Sequence, residues 1–512
     1  MWYRIVLKEF IKNRILQQLP FEANEGQKEL LDKLSQFIIS PTPRKAFILR
    51  GYAGTGKTSI MAALVGAMQE LNQRIVLLAP TGRAAKVLSK YAHTPAYTIH
   101  KYIYRARTKS APSVEDASSR LQLRGKELFT LRDNLHKNTL FIVDEASMIS
   151  GDGQWAMGNG QALFGSGNLL DDLVRFVYSS EGCSLLLLGD DAQLPPVGST
   201  QSAALSEEYM SGYQLDIQSH TLTEVARQAL DSGILANATR LRPLALGSSE
   251  VQEFRSLEVQ EDTFWDLLEF GEDVCTVSGT ELLEALEQSY NEVGEEETIL
   301  LTRTNKRTNI YNQGIRTRIL WKEEEIGSGD RVMVTKNNYY WSEKYDDLPF
   351  LANGDMLEVV RLRNEREMYG YHFADAQLRS VDYEWEIDTI LWLDTMHSDN
   401  PEANNLMHKE LFAKIAEDYP EFQHNRKKLV EAVYASPYYN ALQVRMAYAI
   451  TGHKSQGGQW ARVFIDPYIG SQPTPNPSLK GRELDSEIKS FYRWLYTAIT
   501  RATSKVYFIK NK

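Results

Sequence analysis

The chain has 512 residues, 43% of them hydrophobic and 24% charged, ordinary for a globular protein and long enough for about two to four domains. A net charge of −10 excludes a protein that coats nucleic acid by charge alone, but not one that grips a strand in a local groove; much of the acidity lies between Glu250 and Glu297. Two cysteines, Cys183 and Cys275, give neither a disulfide framework nor metal-ligand spacing. No apolar run is long enough for a bilayer span, so the expectation is a cytoplasmic chain with no membrane partner.

Residues Met1 to Pro20 alternate apolar side chains with Arg4, Lys8, Glu9, Lys12 and Arg14. The charges interrupt any signal-peptide core and predict an amphipathic helix packed on the body. A second helical run from Phe21 ends at Ser40-Pro41-Thr42-Pro43, a strong breaker; it contains Gln27, on its own an ordinary surface residue. Ala46 to Arg50 then forms a short buried strand, followed by Gly51-Tyr52-Ala53-Gly54-Thr55-Gly56-Lys57-Thr58 and a helical pattern from Ser59 to Leu71. Strand, G-x-x-x-x-G-K-[ST] and helix in that order form a phosphate-binding loop. Its glycines let backbone N–H groups cradle an anion, the helix N-terminus adds partial positive charge, Lys57 can reach β- and γ-phosphates, and Thr58 can ligate Mg²⁺.

Arg74 to Pro80 is a second buried strand, and Thr81 opens a helix after it. Around His100, the run Lys101-Tyr102-Ile103-Tyr104-Arg105-Ala106-Arg107 interleaves bases with aromatics. That composition suits a platform for single strands, and equally a solvated amphipathic edge. Thr139 to Ser147 is a third strand that delivers Asp144 and Glu145 at its end. In an ATPase site the first would hold Mg²⁺ and the second would polarise the attacking water. The Gly-rich stretch Gly151–Gly167 is a long loop without a readable purpose. Cys183 to Gly189 is a fourth strand running into Asp190-Asp191-Ala192-Gln193-Leu194-Pro195-Pro196; the paired prolines stiffen the chain after Gln193, which can then sense a γ-phosphate. Leu222 to Gln228, containing Arg227, closes the first α/β unit.

A second α/β unit begins near Ser232 and reaches the strand Thr298–Arg303, followed by Asn305. From Gly329 the texture changes to alternating strands separated by turns such as Asn353-Gly354-Asp355, a small inserted β-barrel. A charged helical arm, Pro401 to Ala435, follows. The α/β texture resumes at Arg445 with Gly452-His453-Lys454-Ser455-Gln456-Gly457, the strand Arg462–Asp466, a helix holding Tyr496-Thr497-Ala498-Ile499-Thr500-Arg501-Ala502, and a last strand Lys505–Lys510. Two such units suggest a nucleotide clamped between them, with Arg227 and Arg501 reaching the γ-phosphate from outside the loop. An arginine placed in this way supplies fixed charge where charge develops, and its hydrolysis-dependent contact between units is the physical basis of a motor.

The ordered set of Gln27, Gly51–Thr58, Ala79–Ala85, Thr98–His100, Asp144–Ser147, Gly189–Gly198, Arg227, Ala449–Gly457 and Tyr496–Ala502 resembles the successive motifs of superfamily 1 helicases, in particular the 5′→3′ branch (superfamily 1B) of RecD-like and Dda-like DNA helicases. The resemblance implies an α/β fold of two RecA-like parallel-sheet domains: 21–230, with a wedge insertion at about 101–127, and 231–325 joined to 436–512. An SH3-like barrel would be inserted at 326–435, with its helical arm at 401–435, and an N-terminal helix would occupy 1–20. It implies ATP and Mg²⁺ as cofactors. Gln27 would read the adenine; Gly51, Ala53, Gly54, Thr55, Gly56, Lys57, Thr58 and Ser59 would hold the phosphates, and Gln459, where the family usually has Glu, the ribose. Thr58 and Asp144 would bind the metal, Lys57, Glu145, Gln193, Arg227 and Arg501 would act in catalysis, and Thr81, His100, Asn305 and His453 would touch the strand. Partners would be single-stranded DNA, single/double-strand junctions, and single-strand-binding, replication, recombination or repair proteins, in a bacterial or phage-type setting. Two other classes compete. A kinase or nucleotide switch needs no second arginine-bearing unit, and a silent or accessory DNA-binding subunit of a recombination or repair complex would be expected to have lost Lys57, Glu145 or Arg501.

Overall fold

The computed structural model describes residues 2–106, 129–151, 164–226, 231–247, 261–345, 348, 350–398, 401–468 and 482–510. The first eight strands are β1 (Lys45–Gly51), β2 (Arg74–Ala79), β3 (Ala96–Thr98), β4 (Tyr104–Ala106), β5 (Phe129–Leu131), β6 (Thr139–Val143), β7 (Ser184–Gly189) and β8 (Asp216–Leu222). Six of them form one sheet in the order β3-β2-β6-β7-β1-β8, every pairing parallel. Helices cover both faces, so successive residues of each central strand are buried: Ala46 and Ile48 of β1 face one core, Phe47 and Leu49 the other. This is why these strands read as unbroken apolar runs rather than alternating ones. The N-terminal helix Trp2–Gln18 inserts Ile11 and Ile15 into the second of those cores, and Lys8 and Lys12 pair with Asp32; it packs on the body as its pattern predicted.

The next strands are β9 (Val274–Ser278), β10 (Thr298–Thr302), β11 (Arg331–Val334), β12 (Met356–Met368), β13 (Tyr371–Ser380), β14 (Glu386–Trp392), β15 (Val444–Met446), β16 (Ala449–Thr451), β17 (Trp460–Ile465) and β18 (Ala502–Lys510). A second parallel sheet has the order β16-β10-β17-β18-β9. The fold is therefore α/β with two RecA-like parallel sheets. Between them in sequence lies an antiparallel sheet, β14-β13-β12-β11-β15. Its two edges meet where Leu442 N–H donates to Ile390 O at 2.7 Å and Trp392 N–H to Leu442 O at 3.0 Å, which closes the small barrel.

The barrel runs further than the sequence boundary at 435. Leu442, Val444 and Met446 alternate into the barrel core, so Val444–Met446 pairs with β11 and the return to the second parallel sheet falls at Ala449, not at Arg445. The arm consists of helices Pro401–Glu417 and Arg426–Ala435, folded back on the barrel through Leu411, Ile415 and Val433 against Tyr371, Phe373 and Trp392. Strands β4 and β5 pair as a short ribbon at the base of the expected wedge; most of that wedge, and most of the Gly151–Gly167 loop, lie outside the described residues. Among the described residues no helix is long and apolar enough to cross a membrane.

Candidate functional site

The phosphate loop leaves β1 and enters the helix Lys57–Glu70. Gly54 and Gly56 lie in the left-handed region, at φ 73° and 87°, where a side chain is strained. Space demands glycine as well: a Cβ on Gly56 would lie 2.8 Å from Gln27 Nε2. Gln27 is 1% exposed. Its carbonyl oxygen accepts from Asn24 N–H at 3.0 Å and its amide donates to Thr55 O at 3.0 Å. The residue expected to meet adenine thus also caps its own helix and braces the loop. Lys57 donates to the carbonyl oxygens of Gly51 and Tyr52, so its ammonium must leave its own loop to meet a phosphate.

Neighbouring parallel strands deliver the remaining groups to the same sheet edge. β6 ends at Asp144 and Glu145, and Glu145 N–H donates to Asp144 Oδ1 at 2.9 Å. Burial, then the Glu145 charge, pushes the Asp144 carboxyl up to about 6, while Lys57 opposes the rise. Glu145 has φ 51°, an uncommon left-handed conformation for a side chain of this size. β7 ends at Asp190, 1% exposed, and leads to Gln193, whose side-chain oxygen is buried without a hydrogen-bond partner among the described residues. An orphaned buried acceptor of this kind costs free energy unless something donates to it, which suits a group that meets a ligand.

The second sheet closes on this edge through the helix Arg482–Ile499 and the turn after it. Tyr496 OH donates to Asp190 Oδ2 at 2.7 Å and accepts from Ala53 N–H at 2.9 Å. Leu194 is held twice, its N–H donating to Thr497 Oγ1 at 2.9 Å and its carbonyl accepting from Gln456 Nε2 at 2.6 Å. Arg501, 4% exposed, sets Nη1 3.8 Å from Glu145 Oε1 and is steadied by Thr497 O and Gly458 O. Arg242 stacks on the ring of Tyr52 at 4.5 Å. Tyr52, Ala192 and Leu194 belong to the same apolar core as Leu241, Leu495 and Phe508, so the seam is packed as well as hydrogen-bonded. Arg227 lies outside the described residues.

The strand-contact candidates lie elsewhere. Thr81 follows β2 and His100 follows the edge strand β3, its neighbour in the first sheet. Asn305 follows β10 and His453 follows the edge strand β16, its neighbour in the second. The structure thus places each pair beyond the C-terminal ends of a strand pair at one edge of its sheet, and β2 is also the direct neighbour of β6, which carries the carboxylates. Thr81 Oγ1 caps its helix by accepting from Ala84 N–H at 3.2 Å. Asn305 and His453 are exposed. His100 is packed against Tyr104, Phe164 and Phe350, and burial pushes its imidazole down to about 4, so it is neutral at pH 7. Gln459 is exposed, and its backbone carbonyl accepts from Arg83 at 3.2 Å. The Arg83 guanidinium stacks 3.8 Å over Trp460.

Sequence reasoning assigned no individual role to Tyr496, Thr497, Gln456, Arg242 or Arg83. All but Arg242 sit inside motifs that it quoted, and for Tyr496 and Thr497 the i, i+1, i+4, i+5 spacing with Thr500 and Arg501 was the available signal. Nothing local to Arg242 or Arg83 points across the seam.

A phosphate loop and a carboxylate pair on one RecA-like sheet, met by an arginine from a second, make a two-unit P-loop core. Residues 22–157 match the family model of an AAA domain, and residues 446–509 match that of a UvrD-like helicase C-terminal domain. The chain is 24% identical over 557 residues to an uncharacterised protein of Acanthamoeba polyphaga mimivirus, covering 95% of this chain and 99% of that one. It is 23% identical over 522 residues to an uncharacterised protein of Methanocaldococcus jannaschii, covering 95% of this chain and 38% of the archaeal protein. Among solved structures it is similar to the Pif1 helicase from Bacteroides in complex with ADP-AlF3 and ssDNA, at 15% identity and TM-score 0.42, covering 94% of this chain and 91% of that one. It is likewise similar to the Pif1 helicase from Candida albicans, at 15% identity and TM-score 0.41, covering 96% and 95%. The two family matches fall on the segments holding the phosphate loop with its carboxylates and the Gln456–Arg501 motifs, and the second of them is to a helicase family, in line with the resemblance to superfamily 1 helicases.

Proposed function

We propose that the chain is an ATP-dependent DNA helicase that moves 5′→3′ along single-stranded DNA and unwinds duplex ahead of it. The observation that carries this reading is Arg501: a buried guanidinium from the second unit reaches within 3.8 Å of Glu145 in the first. Chemistry at Glu145 therefore cannot be independent of how the two units sit, which is what a motor requires. The residues present fit Mg-ATP. Thr58 and Asp144 offer the hard oxygen ligands that Mg²⁺ takes, and the metal would neutralise phosphate charge there. Lys57 and the loop N–H groups would hold the β- and γ-phosphates, Glu145 would take a proton from the attacking water, and Gln193, with its unpaired oxygen, would report the γ-phosphate to the seam. Arg501 would stabilise charge developing on the transferred phosphoryl group. Arg227 is assigned the companion role, and Gln27 and Gln459 the base and ribose.

The edge residues Thr81, His100, Asn305 and His453 would form two stepping surfaces, one on each sheet, for a strand lying across both. Closing and opening of the seam would then change the distance between them, which is translocation. The division into a first unit at 21–230, a second at 231–325 with 449–512, and a barrel that continues to Met446 belongs to the same proposal, as does a cytoplasmic setting. The test is ATP-dependent unwinding of partial duplexes with a 5′ or a 3′ overhang. Unwinding from the 5′ overhang alone is expected; unwinding only from the 3′ overhang would overturn the polarity, and none with either, despite ATP hydrolysis, would overturn the helicase.

A further inference from the structure

The Tyr496 hydroxyl sits between two groups that sequence reasoning treats separately. It accepts from Ala53 N–H, inside the phosphate loop, at 2.9 Å, and donates to Asp190, at the end of β7, at 2.7 Å. Tyr496 and Asp190 are each 1% exposed, so neither partner can turn to water instead. The other Asp190 oxygen accepts from Ala192 N–H at 3.0 Å, which fixes the carboxylate plane. The next residue, Thr497, holds Leu194 at 2.9 Å, and one turn further on Arg501 faces Glu145. Three side chains from one stretch of the second unit thus engage three strand ends of the first.

Their roles differ. Arg501 carries charge towards the reacting centre, whereas Tyr496 carries none and its hydroxyl is committed to Ala53 and Asp190. Resting on the nucleotide reading above, we propose that Tyr496 is a positioning residue for ATP turnover: its hydroxyl ties the phosphate loop and the Asp190–Gln193 strand end to the segment that presents Arg501. A phosphate that draws Ala53 N–H, or the loop as a whole, to a new position would pull on the same hydroxyl that holds Asp190. The second unit would then register loop occupancy before Arg501 acts. Replacing the hydroxyl with hydrogen leaves the half-buried Ala53 N–H without its acceptor and the buried Asp190 carboxylate short of one donor, without removing any group that would meet the nucleotide.

The electrostatics give the proposal a signature that packing alone would not. Burial raises the Asp190 carboxyl; Lys57, Tyr496 and the Ala192 N–H hold it down, in that order, and Asp191 adds to the rise. Tyr52 and Arg242 also face this cluster. Removing the Tyr496 donor lets the carboxyl rise further, so protonation of Asp190 moves towards neutral pH.

The experiment compares wild type, Tyr496→Phe, Asp190→Asn and the double variant in strand-stimulated ATP hydrolysis. Tyr496→Phe is expected to lower kcat about tenfold, the size of a hydrogen bond to a charged group, with little change in KM. The acid limb of its pH profile moves to higher pH, and the double variant falls no further than the worse single one, because the two groups act through one bond. Hydrogen exchange read on peptides covering residues 45–57 and 184–189, without nucleotide, is expected to show protection lost in the loop and kept in β1 and β7. Unchanged kcat and pH profile in Tyr496→Phe, with wild type active, would overturn this assignment alone. Protection lost equally through β1 and β7 would reduce Tyr496 to a packing residue and also overturn it. A wild type that does not hydrolyse ATP would remove the nucleotide reading, and this assignment with it.

Discussion

The seam between the sheets and the outer edges of the same sheets are built on opposite principles. At the seam, Gln193, Arg501, Asp190 and Tyr496 are each at most 6% exposed, and most of their polar atoms are committed to named partners. At the edges, Asn305 and His453 are exposed, and Thr81 spends its hydroxyl on a helix cap. Chemistry on a phosphate gains from fixed dipoles in a dry site, where they need no reorganisation. On the proposed helicase reading, a strand gripped and released at every step gains nothing from contacts too strong to break. Parallel sheets allow the division because loops at the C-terminal ends of their strands face the other unit, and within the loops after β10 and β16 Asn305 and His453 stay exposed while Gln456 reaches across to Leu194.

That contrast sets the size of the expected effects. Lys57→Ala should break the seam chemistry outright: strand-stimulated hydrolysis falls below detection while single-strand binding, read by fluorescence anisotropy, persists. Retained hydrolysis would remove Lys57 from the site. Arg501→Ala should lower kcat by about 10³-fold with ATP still bound, and Arg501→Lys should not restore it, since an ammonium lacks the planar fork; a lysine variant near wild type would make the contact with Glu145 a plain ion pair.

At the edges the losses should be small and spread out. Asn305→Ala and His453→Ala should each weaken single-strand binding by about 1 kcal/mol without changing basal hydrolysis. Affinity should fall with salt as phosphate contacts release counterions, and base preference should stay weak; a strong dependence on base sequence would mean that the edges read bases rather than backbone.

The smallest effect concerns pH and sharpens the status of His100, the edge residue that is packed rather than open. Burial pushes His100 down to about 4 and His408 down to about 3, whereas an unfolded imidazole titrates near 6.5. The unfolded chain therefore binds more protons below that pH, and this part of the stability is lost as pH falls from about 6.5 towards 4. His100→Phe should narrow the difference in thermal midpoint between pH 7 and pH 5. An unchanged difference would show that His100 titrates normally and is open to the strand.

The phosphate loop was readable because it is local: eight consecutive residues between a strand and a helix carry the whole geometry, and Gly54 and Gly56 take the left-handed backbone that the pattern demands. Asp144 and Glu145 were readable for the same reason, as the end of an apolar strand. The barrel's far limit was not, because Val444–Met446 is three residues long and its alternation runs straight into the buried stretch Ala447–Ile450. Arg242 and Arg83 were invisible for a deeper reason. Each acts on an aromatic ring far away in the chain, Tyr52 and Trp460 respectively, and no periodicity connects them.

The sequence by itself determined the two α/β units, the phosphate loop, the carboxylate pair and the candidate arginine at 501, since strand-end chemistry and turn geometry depend on neighbours a few residues away. Only the tertiary structure decided which groups face one another. It set Arg501 against Glu145, hung Asp190 and the loop on one tyrosine hydroxyl, returned the arm to the barrel and enclosed His100 in aromatics. The first two are pairings across hundreds of residues, all four are chosen by packing, and nothing in the order of the side chains along the chain encodes them one pair at a time.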